Sequence, residues 1–289
     1  MIKMNRQKGQ VYKAHSDKYY VKINGEQTVC GARGLLKMNS DGILVGDYVE
    51  VENKMISKVS ERKNRFIRPN VANIDIIIAV LSPEPKPDYY LIDKLLINAV
   101  KEDVEFCLVL NKTDIDSDIE KQLKTEYESL GVKIISISAK ENIGIDKLKD
   151  LLKDKFALLA GQSAVGKTSI VNALFNLNLK TGELSEKIVR GKHTTTRSEI
   201  FEQDGIKIID SPGFAVIDAD VNVKQLPDYY NEYVQHAHEC KFRGCTHISE
   251  PNCKIKELVN DGTLSKKRYD RYVEIYNELS KRRIIYDKN

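Results

Sequence analysis

The sequence predicts a multidomain fold in which an N-terminal β-barrel (OB-fold) precedes a central α/β domain and a C-terminal, mainly α-helical domain. Three observations support this prediction. Residues 1–68 contain short strands broken by turn residues, residues 69–220 alternate apolar runs with helical stretches, and residues 221–289 carry a tight cluster of cysteines and one histidine. We expect these three ranges to be the domains.

The composition indicates an ordered protein. Hydrophobic residues make up 41% and charged residues 30% of the 289-residue chain, which suffices to bury a core and excludes wholesale disorder. No apolar run approaches the roughly 18 residues of a membrane span, and the first residues lack the apolar stretch of a signal peptide. Five cysteines, an odd number, argue against a disulfide framework. We expect a cytoplasmic protein without membrane attachment.

The strand pattern of residues 1–68 predicts a small barrel. Asn24-Gly25 is a hairpin signal, and residues 47–52 alternate with a period of two. About five short strands in so short a segment favour an OB-fold, with an SH3-like barrel as the alternative.

The charge of the same segment suggests a polyanionic partner. It carries 14 Lys and Arg against 7 Asp and Glu, whereas residues 69–220 carry 19 against 25. Six basic residues would suit contacts with RNA phosphates: Arg33, Lys37, Arg62, Lys63, Arg65 and Arg68. A solvated charged face explains them almost as well.

Residues 69–220 have the pattern of a doubly wound, parallel sheet. Nearly continuous apolar runs at 74–80, 106–110, 134–137 and 156–160 suit strands buried on both faces. Stretches with helical spacing lie between them, at 90–100, 119–130 and 145–153. Ligands on such sheets bind beyond the carboxyl ends of the strands, so the residues after each apolar run are candidates for a site.

The last of these runs leads into a phosphate-binding loop. Its sequence, Gly161-Gln162-Ser163-Ala164-Val165-Gly166-Lys167-Thr168, has the spacing G-x-x-x-x-G-K-[ST] and opens a predicted helix at Ser169. Backbone N–H groups would surround the phosphates, Lys167 would neutralise them during catalysis, and the Thr168 hydroxyl would bind Mg²⁺. A glycine-rich structural turn is the weaker alternative, because both flanking elements that the motif requires are present.

Two further loops predict recognition of guanine. Asn111-Lys112-Thr113-Asp114 follows the run at 106–110, and Ser138-Ala139-Lys140 follows the run at 134–137. The Asp114 carboxylate can accept hydrogen bonds from guanine N1–H and the exocyclic amine, whereas adenine lacks those donors, so we expect GTP rather than ATP. Lys112 can lie over the base, and the Ala139 N–H can reach the guanine oxygen. Together with the phosphate loop, these short motifs become specific.

A fourth loop and a threonine-rich segment complete the predicted nucleotide site. Asp210-Ser211-Pro212-Gly213 ends an apolar strand and would place Asp210 near Mg²⁺ and the Gly213 amide at the γ-phosphate. In residues 191–197, Thr196, or else Thr195, would supply a second hydroxyl to Mg²⁺. A solvent-exposed threonine loop is the alternative.

These five elements are those of a GTPase in an unusual order. The Asn-Lys-x-Asp and Ser-Ala-Lys motifs precede the phosphate loop, whereas in ordinary G proteins they follow it. We therefore predict a P-loop GTPase domain with circularly permuted motifs. Permutation preserves a packed sheet when the original termini lie close together.

The C-terminal residues predict a metal centre. Cys240, Cys245, His247 and Cys253 follow the spacing C-x4-C-x-H-x5-C, which fits a closed tetrahedral Zn²⁺ site with a structural role. Scattered reduced cysteines are the alternative. The remaining Cys30 and Cys107 are expected to be buried thiols.

With these motifs in hand, the chain resembles the RsgA family of bacterial GTPases that depend on the small ribosomal subunit, essentially over its whole length. The resemblance rests on residues 111–114, 161–168, 193–196 and 210–213 and on the Cys₃His cluster. It implies an OB barrel, a permuted GTPase and a zinc domain. It further implies a monomer that binds the maturing small subunit through rRNA, hydrolyses GTP when docked, and assists late assembly or release of assembly factors.

Three positions bear on turnover. Ala164 stands where the family more often has glycine. If the backbone there needs a positive φ, alanine would cost about 1 kcal/mol relative to glycine. Ala164 also stands where potassium-activated relatives have asparagine, so we expect no potassium dependence. Phe214 occupies the position of the water-orienting glutamine of many GTPases, so we predict slow intrinsic turnover. His193 is a candidate for the missing group, by sequence position and by resemblance, although a structural histidine is equally expected.

Two other functions compete with a ribosome-stimulated hydrolase. A nucleotide-switched RNA-binding assembly chaperone with negligible turnover is disfavoured by Lys167, Thr168 and Asp210 but not excluded. A tRNA-modifying GTPase would need modification chemistry that the sequence does not suggest.

Overall fold

The computed structural model describes residues 6–34, 36, 42–67, 69–115, 118–177, 199–210 and 219–286. Its first part is a five-stranded barrel of β1 (Gln7–His15), β2 (Lys18–Ile23), β3 (Glu26–Ala32), β4 (Tyr48–Glu52) and β5 (Met55–Val59). The strands neighbour one another in the order β1–β2–β3–β5–β4, and β4 pairs back with β1 to close the barrel. This is the OB-type barrel expected from the sequence.

Local chemistry explains the barrel. Asn24 and Gly25 have φ of 49° and 88°, the two positive values that a tight hairpin turn of type I′ needs between β2 and β3. Val11, Val21 and Ile56 are fully buried in its core. Arg62, expected to contact phosphate, instead forms a bidentate ion pair with the buried Asp47, with N···O distances of 2.7 and 2.8 Å. The positive charge of Arg62 is therefore paired with a carboxylate within the protein.

Among the described residues of the central domain, six strands form one sheet. Its strands are β8 (Ile76–Leu81), β9 (Glu105–Leu110), β10 (Lys133–Ser136), β11 (Phe156–Gly161), β12 (Glu199–Gln203) and β13 (Ile206–Asp210), in the order β10–β9–β8–β11–β13–β12. The first five in that order are parallel, and β12 is antiparallel to β13. A two-stranded ribbon, β6 (Arg65–Phe66) with β7 (Val71–Ala72), leads from the barrel into this sheet.

Four helices follow the parallel strands: α1 (Tyr89–Lys101), α2 (Asp118–Tyr127), α3 (Ile145–Leu152) and α4 (Lys167–Phe175). A 3₁₀ turn at Glu128–Leu130 extends α2. One hydrophobic cluster contains residues of α1 and α2, and the other contains residues of α3 and α4. The sheet is thus covered on both faces, which explains why its strands are apolar at nearly every position.

The C-terminal domain is helical and packs on α1. It contains α5 (Asn231–Val234), α6 (Lys254–Asn260) and α7 (Lys266–Tyr286), with 3₁₀ turns at Val223–Tyr229 and Ala237–Glu239. Its core includes Ile97 of α1. Asp93 of α1, which is fully buried, accepts hydrogen bonds from Arg268, Arg271 and the Tyr127 hydroxyl. This ion network joins the two domains.

Within the ranges that the structure describes, no helix is both long and apolar enough to span a bilayer.

Candidate nucleotide site and metal centre

Four of the predicted nucleotide loops begin at the same edge of the central sheet. Asn111 follows β9, Ser138 lies shortly beyond β10, the phosphate loop follows β11, and Asp210 ends β13. Because these strands are parallel, their carboxyl ends form one edge, where ligands bind on open α/β sheets. The chain order of the motifs is permuted, but their spatial arrangement is continuous.

The backbone of the phosphate loop has positive φ angles, which glycine adopts without strain. Gly161 and Gly166 have φ of 145° and 94°, and a Cβ atom at Gly161 would lie 2.2 Å from the Val80 carbonyl oxygen. Ala164 has a φ of 65°, so alanine occupies the left-handed region in which glycine is favoured. The condition under which alanine would cost about 1 kcal/mol at this position, a positive φ, is therefore met.

The first turn of α4 is arranged to receive an anion. Gly166 is its N-cap, and glycine offers no side chain to cover the first N–H groups of the helix. Lys167 Nζ donates to the carbonyl oxygens of Gly161 and Gln162, at 2.8 and 2.7 Å, which keeps the ammonium folded over the loop. Thr168 is half-buried behind it, and Ser163 and Ser169 are exposed.

Asn111 ties three loops together. Its Nδ2 donates to the Val165 carbonyl oxygen at 2.9 Å, and its Oδ1 accepts from the Ala139 N–H at 3.0 Å. The side chain is almost fully buried, at 2% exposure. One amide therefore fixes the position of the two predicted base-binding loops relative to the phosphate loop.

The Asp114 carboxylate is oriented and ionised, so it can accept hydrogen bonds from a ligand. Ser138 Oγ donates to Asp114 Oδ1 at 2.7 Å, and Ser138 is fully buried. This hydrogen bond, together with one from the Asp114 backbone, lowers the pKa of Asp114, and the charges of Lys140 and Lys112 lower it further. The group is thus ionised at neutral pH, as an acceptor for guanine N–H donors must be.

The loop between β8 and α1 also contacts the site, although the sequence did not predict it. Lys112 Nζ donates to the Glu84 carbonyl oxygen at 2.5 Å, and the Asp88 N–H donates to the Gln162 side-chain oxygen at 3.0 Å. Asp88 is also the N-cap of α1, where it accepts from the Leu91 N–H. The one feature of the sequence that could have indicated a role for this loop is that it also follows an apolar run.

Several predicted residues lie outside the part of the chain that the structure describes. They are His193, Thr195, Thr196, Gly213 and Phe214 of the nucleotide site, and Lys37 and Arg68 of the basic residues suited to RNA phosphates. Asp210 is placed by its backbone, which is in register with Leu159 on β11. The contacts assigned to these side chains stay predictions.

The Cys₃His cluster converges as its spacing predicted. The ligand atoms of Cys240, Cys245, His247 and Cys253 all lie within 4.8 Å of one another. Cys240 Sγ and Cys253 Sγ are 4.0 Å apart, and His247 Nδ1 is 3.3 Å from Cys253 Sγ and 3.7 Å from Cys240 Sγ. A tetrahedral ion with Zn–S bonds of about 2.3 Å would space its sulfurs about 3.8 Å apart. The cluster can hold a metal and is compatible with zinc, with Nδ1 as the histidine ligand.

The surroundings stiffen this cluster. Tyr269 donates its hydroxyl proton to the His247 carbonyl oxygen at 2.7 Å. Glu250 accepts from the N–H groups of Thr246 and Ile248 and from the Thr246 hydroxyl. Burial raises the pKa of Glu250, but these hydrogen bonds outweigh burial and bring it to about 2. Burial also lowers the pKa of His247 to about 4, which keeps its imidazole neutral as a metal ligand requires.

Comparison with known families identifies the chain. Residues 59–220 match the family model described as RsgA GTPase, and residues 8–58 match the RsgA N-terminal domain. The chain belongs to the RsgA GTPase family. It is therefore a GTP-hydrolysing enzyme.

Curated relatives extend over nearly the whole length of this RsgA-family chain. A Geobacillus protein (strain WCH70) named small ribosomal subunit biogenesis GTPase RsgA is 36% identical, and the match covers 96% of this chain and 99% of the relative. A protein of the same name from Alkaliphilus metalliredigens is 37% identical over 96% of this chain and 99% of its own.

Solved structures agree with the fold. The crystal structure of YjeQ from Thermotoga maritima superimposes with a TM-score of 0.78 at 33% identity, covering 95% of this chain and 99% of that one. YloQ, described as a circularly permuted GTPase, gives a TM-score of 0.74 at 29% identity, covering 98% of both chains. The permuted fold of this RsgA-family enzyme is thus shared with two experimental structures.

Proposed function

We propose that this enzyme binds the maturing small ribosomal subunit through rRNA, hydrolyses GTP there with stimulation by the subunit, and acts in late assembly or release of assembly factors. The observation that carries the proposal is the junction at Asn111, where base-binding and phosphate-binding loops meet in one site. The names of the full-length relatives supply the ribosomal context.

Guanine selectivity would come from Asp114. Its carboxylate is exposed to a ligand, oriented by Ser138 and ionised at neutral pH. Lys112 would break its hydrogen bond with the Glu84 carbonyl oxygen and lie over the base. The Ala139 N–H lies in the neighbouring loop. Replacing Asp114 by Asn should shift preference from guanosine to xanthosine nucleotides. Retained guanosine preference in that variant would disprove the assignment.

The triphosphate would lie over the phosphate loop. Lys167 would exchange its two carbonyl partners for phosphate oxygens. The helix N-terminus supplies backbone donors at Gly166 and beyond. Bound Mg²⁺ would neutralise charge that develops on the phosphates, and Thr168 and Asp210 suit it because β11 and β13 end at the same edge in register. Thr196 would complete that set and His193 would orient water.

The metal centre would be structural. We infer Zn²⁺ because three thiols and a neutral imidazole converge on one point with no open position. Metal analysis should find about one equivalent of zinc per chain, and Cys253→Ser should lose both the zinc and the ordered C-terminal domain. Full retention of zinc in Cys253→Ser would disprove the ligand set.

We infer working units at 1–68, 69–220 and 221–289, because the barrel closes on itself and the C-terminal core gathers around α7. A ribosomal partner, suggested by the names of the relatives, would place the enzyme in the cytoplasm, where we expect a monomer. The deciding experiment measures GTP turnover alone and with purified mature and immature small subunits. Stimulation by subunits supports the proposal. Turnover that is unchanged by either subunit would favour an enzyme whose partner is something else.

A further inference from the structure

Strand β1 belongs to the barrel and to the central sheet at once. Its first residues pair with β4, whereas Lys13 pairs with Glu199 at the start of β12. The register of β1 against β2 shifts between Val11 and Lys13, which marks a β-bulge at Tyr12. Bulges bend a strand and redirect a side chain. Tyr12 accordingly packs in the hydrophobic cluster of the central domain, with Ile200 and Ile209, and not in the barrel core.

Polar contacts reinforce this junction. Lys13 Nζ lies 2.6 Å from Glu199 Oε2, and the two side chains are only 22% and 31% exposed, so water screens the pair incompletely. Glu202 accepts from both the Tyr12 hydroxyl and the Lys22 ammonium. Each glutamate of β12 is thus bound by the barrel.

Strand β12 lies between the barrel and the predicted magnesium ligands. Glu199 is opposite Lys13 on one side and opposite Asp210 on the other. A shift of β12 would therefore displace the backbone at Asp210, its register partner on β13.

We propose that Lys13 is a positioning residue for GTP hydrolysis, which holds β12 in register through Glu199 and so couples occupancy of the barrel to the magnesium site. The inference rests on the proposed function, in which RNA occupies the barrel. RNA phosphates near this edge compete with Glu202 for Lys22, so that the Lys13–Glu199 pair is the contact that holds β12 while RNA occupies the barrel. This competition means that the barrel contacts β12 differently with and without bound RNA, and such a difference is what coupling between two sites requires.

The test uses Lys13→Met, which removes the ammonium and keeps most of the apolar stem. The ratio of subunit-stimulated to unstimulated turnover should fall by about fivefold, at the low end of couplings between sites. The Mg²⁺ concentration for half-maximal hydrolysis should rise. Lys13→Arg should restore both values, and Glu199→Gln should give the same loss without adding to Lys13→Met.

A matched control is Lys155→Met. Lys155 forms a comparable ion pair with Glu105, at 2.5 Å, beside the amino ends of the strands and away from the site. It should leave both readouts unchanged. If Lys13→Met changes neither readout, the inference is wrong. If wild-type turnover does not respond to subunits, the proposed function fails, and the Mg²⁺ dependence still decides the role of Lys13.

Discussion

Replacing Asn111 by Ala should separate the stability of the protein from its affinity for guanine nucleotides. The substitution removes an amide that donates to the Val165 carbonyl oxygen and accepts from the Ala139 N–H. Both polar atoms of the Asn111 side chain already bind backbone groups of the other two loops, so we expect most of the effect on binding to come from the relative position of the loops.

The structure sets the size of the effect. Two backbone groups lose their partners, and each unsatisfied buried group costs about 1–3 kcal/mol. Val165 is fully buried but Ala139 is half-buried, so water can reach the Ala139 N–H in part. We expect a loss of about 2–4 kcal/mol in the free energy of unfolding. Loosening of the loops should weaken GDP binding by at least about tenfold, which corresponds to 1.4 kcal/mol.

The chain offers a matched control in Asn64. This buried asparagine also makes two hydrogen bonds to backbone, with Ile74 O at 2.7 Å and Ile74 N at 2.9 Å, near the amino end of β8. Urea unfolding and calorimetric GDP titration of both alanine variants give the comparison. Asn64→Ala should lose comparable stability and keep its GDP affinity. Equal losses of affinity in the two variants would refute the role of Asn111 as a joint between loops.

Three further predictions follow from single contacts. Ser138→Ala should raise the pKa of Asp114 towards its ordinary value; since guanine binding needs the carboxylate and is lost as pH falls through that pKa, GDP affinity measured between about pH 3 and 5 should be lost at a higher pH than in the wild type. An unchanged pH profile would contradict this. Ala164→Gly should raise the melting temperature by about 2–4 °C, because it relieves about 1 kcal/mol of left-handed strain; a lower melting temperature would count against it. Asp93→Ala should cost about 3–5 kcal/mol in urea unfolding by leaving Arg268 with one acidic partner, and a loss under about 1 kcal/mol would show that the network is not held by Asp93.

Local patterns predicted most of the fold and of the nucleotide site. The parallel strands are buried on both faces, so they appear as apolar runs, and β8 is apolar at every position. The phosphate loop, Asp114 and the Cys₃His cluster were predictable because their chemistry requires fixed residue types at fixed spacing.

Contacts between distant segments were not predictable in this way. Strand β12 mixes polar and apolar residues, and its pairing with β1 joins segments far apart in the sequence. Charge alone assigned Arg62 to phosphate, whereas its partner Asp47 could be recognised only once the barrel had closed. The link between Asp88 and Gln162 likewise depends on the neighbouring positions of β8 and β11.

The ion network at α1 has a consequence for biosynthesis. Asp93 and Arg268 are 175 positions apart, so α1 leaves the translating ribosome long before its guanidinium partners exist. A nascent chain interrupted ahead of α7 leaves Asp93 without its two guanidinium partners and lacks part of the core that covers Ile97 of α1. Completion of the last helix therefore covers a surface that would otherwise attract chaperones or proteases, and truncated products should be cleared even though their nucleotide loops are already in place.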